Sequence, residues 1–490
     1  MFQYCNTLEP FVPKPEGLLE SWPSPQIQYL GDYLKKLRCG TVVVESHYID
    51  RDYIDDVALF YSRSLRSYPN YCERLHFFCG SFDLARFHEL IDKASQDDIA
   101  SSRQYLQERY LGYIVVRPLP GYPIGRTVLI TVSSNTADAL TRDFSCIREY
   151  KVNLCGFELK VEGLAFQQQD QGVSACATTA VWSAVNCVSW RENHRIATPA
   201  EITQLASKYL LLAGRPLPSE GLGLQQICEA IRGAGLAPLV VRSSRPEEDK
   251  PLLLTYIQSG FAPILGIFPS DGTGGHAVCG VGVKRGPIQP NQDPNLHFAD
   301  SASSVQAIYI HDDRLGPYAC ADLYPWTMQT GTIRTGIGIK WPGENAPHEH
   351  AILEQIIIPL PPKLRLSANR LRKVGMQIAD FAGQYLSNDV SEIRLNCKFS
   401  RATAYKHAAF TFGLSAAGLR ELLMGVVFSR YVGLIEIASA DGPLFDILTD
   451  VTETDANPSV LAIVLRTQSA TKVREAVVGL SRHLAGKAIT

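Results

Sequence analysis

The order of helical and strand-like segments between residues 155 and 345 is the strongest constraint on the fold. A helical stretch, SACATTAVWSAVNCV, comes first and further helical stretches follow it. Strand-like runs then succeed one another as APILGIF, HAVCGVGV, QAIYIH and TIRTGIGIKW. Short runs rich in branched apolar residues, bounded by glycine and proline, are typical of strands. Helices followed by consecutive strands, without regular alternation, predict an α+β domain.

The length of the chain predicts more than one domain. A protein of 490 residues and 54.0 kDa is too large for one ordinary hydrophobic core. We place domain boundaries so that residues 1–150 form an N-terminal α/β block, 151–345 the central domain and 346–490 a C-terminal mixed α/β block. The two outer blocks contain no evident catalytic residues, so accessory or regulatory roles, partner recognition and substrate selection all stay open for them.

Composition excludes several classes of protein. Hydrophobic residues make up 46% and charged residues 20%, with a net charge of −2, so nothing favours a nucleic-acid or membrane partner. The 12 cysteines include no CxxC pair, which argues against a disulfide framework or structural zinc. The N-terminal MFQYCNTLEP has no signal-peptide pattern, and no apolar run is long enough to span a membrane. We therefore expect a cytoplasmic protein.

Cys176 is the first candidate for chemistry. It follows Gly172 and Ser174 and stands at the expected first turn of a helix. The reactive form of cysteine is the thiolate, and the positive end of a helix dipole stabilises that anion. Free cysteines are also among the most buried residues, so a purely structural thiol is the alternative interpretation.

His276 is the candidate partner for this thiol. In DGTGGHAVCGVGV a glycine-rich loop leads to the histidine at the first position of a strand. Gly280 and Gly282 leave room beside that strand, which favours a functional histidine over a polar surface residue. A histidine can form an ion pair with the thiolate and later protonate the leaving group.

A carboxylate that orients the histidine is expected at the end of the following strand. VQAIYIHDDRLGPYA supplies Asp312 and Asp313 there. Alternation places these two side chains on opposite faces of the strand. We favour Asp312, with Asp313 left open and a simple polar turn as the alternative for either residue.

An oxyanion hole needs hydrogen-bond donors beside the nucleophile. The backbone N–H of Cys176 is one candidate, and a glutamine side chain shortly before it is the second. The candidate glutamines are Gln167, Gln168, Gln169 and Gln171.

These residues, in this order, resemble the papain-like cysteine peptidase superfamily, particularly its bacterial C39-like members. The resemblance covers roughly residues 155–345 and implies a helical subdomain with an antiparallel sheet. It assigns Cys176 as nucleophile, His276 as base and acid, Asp312 as orienting group and Gln169 as oxyanion donor. Family members usually carry their glutamine six residues before the cysteine, where this chain has Asp170.

The resemblance implies a thiol hydrolase that cleaves a peptide or isopeptide bond through an acyl-enzyme. An acyl transferase or amidase on the same scaffold is one alternative, and a non-enzymatic regulatory or binding protein that retains the fold is another. We expect a protein or peptide substrate and leave open a regulatory protein partner. No metal ion or organic cofactor is required.

Three further motifs are weaker. His348 and His350, two apart in HEH, would share a strand face and could hold a metal ion. The glycines of EGLGLQQ (220–226) are not followed by the GK[ST] of a phosphate loop. The aromatic residues of YSRSLRSYPNY (61–71) are most simply surface residues rather than a stacking platform for nucleic-acid bases.

Overall fold

The computed structural model confirms a mixed α+β protein with largely antiparallel sheets. It describes residues 2–3, 24–132, 140–170, 172–173, 175–208, 221–270, 272, 274–291, 293–341, 348–453, 458–466, 471–484 and 486–489. None of the helices in these ranges is both long and apolar enough to cross a membrane.

In its described residues, the first block is a five-stranded sheet with four α-helices. Its elements are β1 (Phe2–Gln3), α1 (Pro25–Lys36), β2 (Cys39–Tyr48), α2 (Arg51–Leu59), β3 (Cys72–Cys79), α3 (Leu84–Lys93), α4 (Ile99–Gln107), β4 (Tyr110–Val116) and β5 (Ile124–Leu129). The strands lie in chain order, and each described pair is antiparallel. The hairpin predicted across the Pro/Gly-rich connection forms as β4 and β5.

The central block contains the predicted helices and strands in the predicted order, together with strands before, among and after them that the sequence did not indicate. Its elements are β6 (Thr141–Asp143), β7 (Arg148–Leu154), β8 (Phe157–Gly163), α5 (Cys176–Arg191), α6 (Pro199–Ala206), α7 (Leu224–Gly233), β9 (Ala237–Arg242), α8 (Pro246–Gln258), β10 (Ile264–Pro269), β11 (His276–Arg285), β12 (Ala299–Asp300), β13 (Val305–Asp312), β14 (Gly316–Thr327), β15 (Ile333–Lys340) and β16 (His348–Leu360).

The central sheet closes on itself. Hydrogen bonds link β10, β11, β13, β14, β15 and β16 in that order, and β16 pairs back with β10. Strands β9 and β6 extend it at β16 and β11. Closure removes the free edges that an open sheet of these strands would expose. Helix α5 packs against β11, and its residues 177–189 are all buried, so it is a core helix rather than an amphipathic surface helix.

The third block is a sheet covered by two helices. Its elements are α9 (Ala368–Leu386), β17 (Arg394–Arg401), α10 (Ala402–Ala408), α11 (Ala416–Arg420), β18 (Tyr431–Ser439), β19 (Gly442–Asp450), β20 (Val460–Leu465), α12 (Thr471–His483) and β21 (Lys487–Ile489). The sheet order is β12-β17-β18-β19-β20-β21, with α9 against β17 and β18 and α12 against β20.

The sheets divide the chain at different points from the expected boundaries. Strand β16 follows residue 345 but belongs to the central sheet, and β6 precedes residue 151 but pairs with β11. Strand β12 leaves the central block to pair with β17. Residues 348–360 therefore belong with the central block. The predicted proline-rich boundary at 341–347 lies almost wholly outside the described residues.

The two strand glycines beside His276 serve close packing of the backbone. A Cβ at Gly282 would lie 2.5 Å from the Asp143 carbonyl oxygen, and one at Gly280 would lie 2.7 Å from the Pro263 ring. The room that these glycines leave is thus filled by β6 and by the residue before β10. It is not part of an open cleft.

We expect Gly282→Ala to lower the melting temperature of the full chain, because the added methyl group would force β6 away from β11. Overpacking of this kind costs about 1–3 kcal/mol. Gly31→Ala is the control: no atom lies within 4 Å of its added Cβ, and alanine favours a helix. Differential scanning calorimetry compares the two. Equal melting temperatures would mean that β6 is not closely held.

Candidate active site

Cys176 is the first residue of α5 and is partly exposed, whereas the body of the helix behind it is buried. The helix has no side-chain cap, and its first turn closes through the Thr179 N–H and the Ala175 carbonyl oxygen at 3.1 Å. The thiol thus stands at the positive end of a helix whose position the core fixes.

His276 lies between Cys176 and a carboxylate. Its Nε2 is 2.9 Å from Oδ1 of Asp312, and the Cys176 side chain is close enough to help raise its pKa. Because Nε2 is engaged by the carboxylate, Nδ1 is the ring nitrogen left for the thiol. The structure therefore brings the predicted cysteine, histidine and aspartate together in the predicted order.

The register of two neighbouring strands produces this juxtaposition. Strands β11 and β13 are antiparallel, with Cys279 opposite His311. The start of β11, where His276 lies, is therefore next to the end of β13, where Asp312 lies. Antiparallel pairing of these strands was implied by the resemblance, but this register could not be read from the sequence.

Asp312 is held by a second cation on its other side. It is fully buried, and Arg314 approaches it through the backbone N–H at 3.0 Å, Nε at 3.3 Å and a terminal nitrogen at 3.1 Å. Arg314 in turn contacts Glu349 at 2.9 Å, and Glu349 accepts a hydrogen bond from the Trp341 indole at 3.0 Å. This chain of contacts fixes the carboxylate.

The charges favour a protonated histidine and an ionised aspartate. Burial would lower the pKa of His276, but the charge of Asp312 and hydrogen bonds to Asp312 and Cys176 raise that pKa to about 10. Burial would raise the pKa of Asp312, yet His276 and Arg314 hold it well below its usual value. At neutral pH the pair therefore carries an imidazolium next to the thiol.

Asp313 lies close by but in a different environment. Its Oδ1 is 3.7 Å from His276 Nε2, and its Oδ2 is buried without a hydrogen-bond partner among the described residues. Burial and the charge of Asp312 raise the pKa of Asp313 to about 7, against the opposing effect of His276. Geometry thus favours Asp312 over Asp313 as the group that orients the imidazole.

The loop before Cys176 is held by the first block. Asp170 accepts hydrogen bonds from the backbone N–H groups of Gly172 and Val173 at 2.8 and 2.6 Å, and its other oxygen is 3.2 Å from Arg117. Tyr61 also hydrogen-bonds to Asp170 and packs against Gly172. Asp170 is thus an acceptor that shapes the loop before Cys176.

Their contacts distinguish some of the candidate glutamines from one another as possible oxyanion donors. The Gln168 side chain accepts from the Ile124 N–H at 3.2 Å and donates to the Gly121 carbonyl at 3.4 Å, so it belongs to the contact with the first block. Gln167 is buried and engaged in an interaction of its own, and Gln169 is partly exposed. Gln171 lies outside the described residues. Gln169 stays the predicted oxyanion donor.

A metal ion is the other ligand that this cluster could hold. Among the described residues, His276, Asp312 and Asp313 form the one group of three ligand side chains, with ligand atoms within 4.8 Å of one another. The oxygens of Asp312 already accept hydrogen bonds from His276 and Arg314, and the guanidinium would repel a cation. These contacts fit a hydrogen-bonded imidazolium–carboxylate pair of His276 and Asp312 better than a metal site.

The HEH motif contributes its central glutamate, rather than its two histidines, to the site. His348 and His350 do share a face of β16, with ring centroids 4.9 Å apart, but neither belongs to a three-ligand group among the described residues. His350 is instead 2.5 Å from the Tyr324 hydroxyl. The residue between the histidines, Glu349, is the one that supports Arg314.

Several of these supporting residues escaped the sequence analysis. Arg314 directly follows the two aspartates, and this adjacency was a signal that could have been used. Glu349 stood inside a motif that suggested a metal site. Arg117 and Tyr61 belong to another block, and no local pattern connects them to Cys176.

Comparisons with known proteins assign neither a family nor a function to this chain. No protein-family model matches this chain, and no curated protein matches its sequence. The functional argument therefore depends on the residues and their geometry.

We expect Asp312→Asn to lower the pKa of His276, because burial then acts without the opposing carboxylate charge. In the wild type, the stabilisation of folding from protonated His276 is complete below its ordinary pKa of 6.5 and is lost as pH rises towards 10. In Asp312→Asn this high-pH loss should disappear. NMR titration of the imidazole and melting temperatures across pH measure both effects.

Asp313→Asn is the matched control. Its carboxyl has a pKa raised to about 7 by burial and Asp312, so an amide resembles the protonated form already present at neutral pH. The pKa of His276 should change less than in Asp312→Asn. A larger change would make Asp313 the orienting group.

Proposed function

We propose that this chain is a papain-like cysteine hydrolase that cleaves a peptide or isopeptide bond through an acyl-enzyme on Cys176. The observation that carries the proposal is the position of His276, which is 2.9 Å from Asp312 and close enough to Cys176 for that thiol to raise its pKa. A thiol at a helix start, beside an imidazole oriented by a carboxylate, is an arrangement suited to nucleophilic catalysis.

The proposed reaction begins with attack of the Cys176 thiolate on the carbonyl carbon. The tetrahedral oxyanion would accept hydrogen bonds from the Cys176 backbone N–H and from the Gln169 side-chain amide. His276 then gives its proton to the leaving amine, and the C–N bond breaks to leave a thioester. Water attacks the thioester while His276 takes up one of its protons, and the C–S bond breaks to release the carboxylic acid and restore the Cys176 thiolate beside the imidazolium.

The raised pKa of His276 supports this sequence of proton transfers. An imidazolium is present before substrate binds, so the proton required by the leaving amine is already in place. Asp312 keeps that form stable and holds the ring through Nε2, so Nδ1 is the ring nitrogen that remains available to the thiol. The role of Asp312 is therefore to position His276.

The contacts of the flanking blocks favour the hypothesis that the substrate is a dedicated protein or peptide. The first block holds the loop before the nucleophile through Arg117 and Tyr61, so binding events on that block could reach the site. The eleven described cysteines are all free thiols, which supports the expected cytoplasmic location.

We expect selective alkylation of Cys176 by iodoacetamide below pH 7, because its neighbour His276 is protonated there. Every cysteine is read out by mass spectrometry in the wild type and in His276→Ala, which should lose the selectivity. Cys187 in the buried part of the same helix is an internal control, since burial raises the pKa of its thiol. Labelling of Cys176 no faster than of the other exposed cysteines would contradict a thiolate–imidazolium pair.

Cys176→Ala should abolish turnover with little change in melting temperature, because one small, partly exposed thiol contributes little to stability. A proteome-derived peptide library, compared before and after incubation, reveals new termini. Adding a primary amine separates hydrolysis from acyl transfer, since a transferase would yield amide products. Wild-type turnover in Cys176→Ala would disprove the mechanism.

Gln169→Ala should lower kcat by about a hundredfold or more while leaving the alkylation rate of Cys176 unchanged, because an oxyanion donor acts only in the transition state. Gln168→Ala is the control. Its side chain holds residues 121 and 124, so the melting temperature should fall instead. Unchanged kcat in Gln169→Ala would shift the role to another glutamine.

A further inference from the structure

A cavity of about 710 Å³ lies between α1 of the first block and the central sheet. Helix α1 lines it with Tyr29, Asp32 and Lys36, and strands β11, β13, β14 and β15 form the opposite wall. Its volume lies within the range of ordinary small-molecule sites. Lys284 lines the cavity near the opposite end of β11 from His276, and none of Cys176, His276 and Asp312 lines it, so the cavity is distinct from the candidate active site.

The charges around the cavity are strongly one-sided. The basic side chains that line it are Lys36, Arg38, Arg142, Lys284 and Lys340, whereas the lining contains the single carboxylate of Asp32. Within the described ranges, no ion pair joins Lys36, Arg38, Lys284 or Lys340 to a carboxylate. Like charges gathered around a cavity repel one another, and an anion bound there would relieve that cost.

The basic groups act on the same part of the wall. Burial and Asp322 raise the pKa of Cys320 against the opposing effects of Lys284 and Arg142, and burial and Cys320 raise the pKa of Tyr309 against the opposing effect of Arg142. The charges are therefore close to a shared surface on β13 and β14. This cluster of positive charges suits a ligand with several negative charges better than a ligand with a single carboxylate.

Aromatic rings form the remaining walls. They belong to Tyr29, Tyr33, Phe144, Tyr309, Tyr318 and Trp341. The hydroxyls of three of these tyrosines donate to backbone carbonyls, Tyr29 to Pro317, Tyr33 to Ile130 and Tyr318 to Leu129. Such fixed rings offer flat apolar surface to a planar group without a large entropic cost.

We propose that this cavity binds a small phosphate-bearing molecule with a planar ring, of the nucleoside polyphosphate class. The phosphates lie among the lysine and arginine side chains, and the ring lies against the aromatic wall. Trp341 in that wall also donates to Glu349, so the ligand lies beside the contacts that hold Arg314 and Asp312. The proposal is independent of the hydrolase activity.

Isothermal titration of the full chain with ATP, in low salt and without magnesium, tests the proposal. Saturable binding is expected in the wild type and in Cys176→Ala, so a failure of the proposed catalytic function would leave this result unchanged. Lys36→Gln combined with Lys284→Gln should weaken binding by roughly tenfold or more, through loss of two charges. Both side chains are at least partly exposed, so the fold should tolerate the changes.

Lys35→Gln is the matched control, because Lys35 lies in the same last turn of α1 but does not line the cavity. It should bind ATP as the wild type does. Inorganic tripolyphosphate should bind more weakly than ATP and adenosine more weakly still. Equal binding of tripolyphosphate and ATP would overturn the role of the aromatic wall. Absence of saturable binding, or equal losses in Lys35→Gln and the double variant, would overturn the site.

Discussion

Burial of helix α5 from residue 177 to residue 189 is the constraint on which the rest of the structure depends. The helix carries Cys176 at its first residue, and its opposite end is held by Glu192, which contacts Arg401 at 3.1 Å, Arg430 at 2.9 Å and the Tyr431 hydroxyl at 2.7 Å. These partners belong to the third block. The first block holds the loop that leads into the helix, so all three blocks meet on one element.

This shared helix explains why the flanking blocks cannot be treated as detachable additions. Glu192 is a buried carboxylate whose cost of burial is offset by its cationic partners in another block. Asp170 is likewise buried and depends on Arg117. Removal of either outer block would remove the partners of one of these carboxylates, and the position of Cys176 would be affected from that end of the helix.

The electrostatics of the site follow the same logic. Asp312 is buried between His276 and Arg314, and each contact compensates for the loss of hydration. The ion pairs that make this burial tolerable also keep the imidazole charged and oriented. A structural requirement and a chemical one are thus satisfied by the same contacts, and Glu349 supports both through Arg314.

Much of the secondary structure and the main candidates could be predicted from the sequence. Apolar periodicity locates α5, and a glycine-rich loop before a branched apolar run locates β11. Local signals could not distinguish the glutamines or the two aspartates, because those choices depend on contacts with distant residues. The function of Gly280 and Gly282 was similarly misjudged, since the backbone that packs on them comes from β6 and from Pro263.

The sequence by itself determined the α+β class, the helix that begins at Cys176, the strand that begins at His276 and the carboxylates that end β13. Tertiary structure alone decided that β16 closes the central sheet, that Asp312 lies nearer than Asp313 to the imidazole and that Arg314, Glu349 and the first block support the site. The physical reason is the separation along the chain of the residues that interact. Helix and strand formation depend on neighbours along the chain, whereas pairing register and buried ion pairs depend on groups that meet only after the chain has folded.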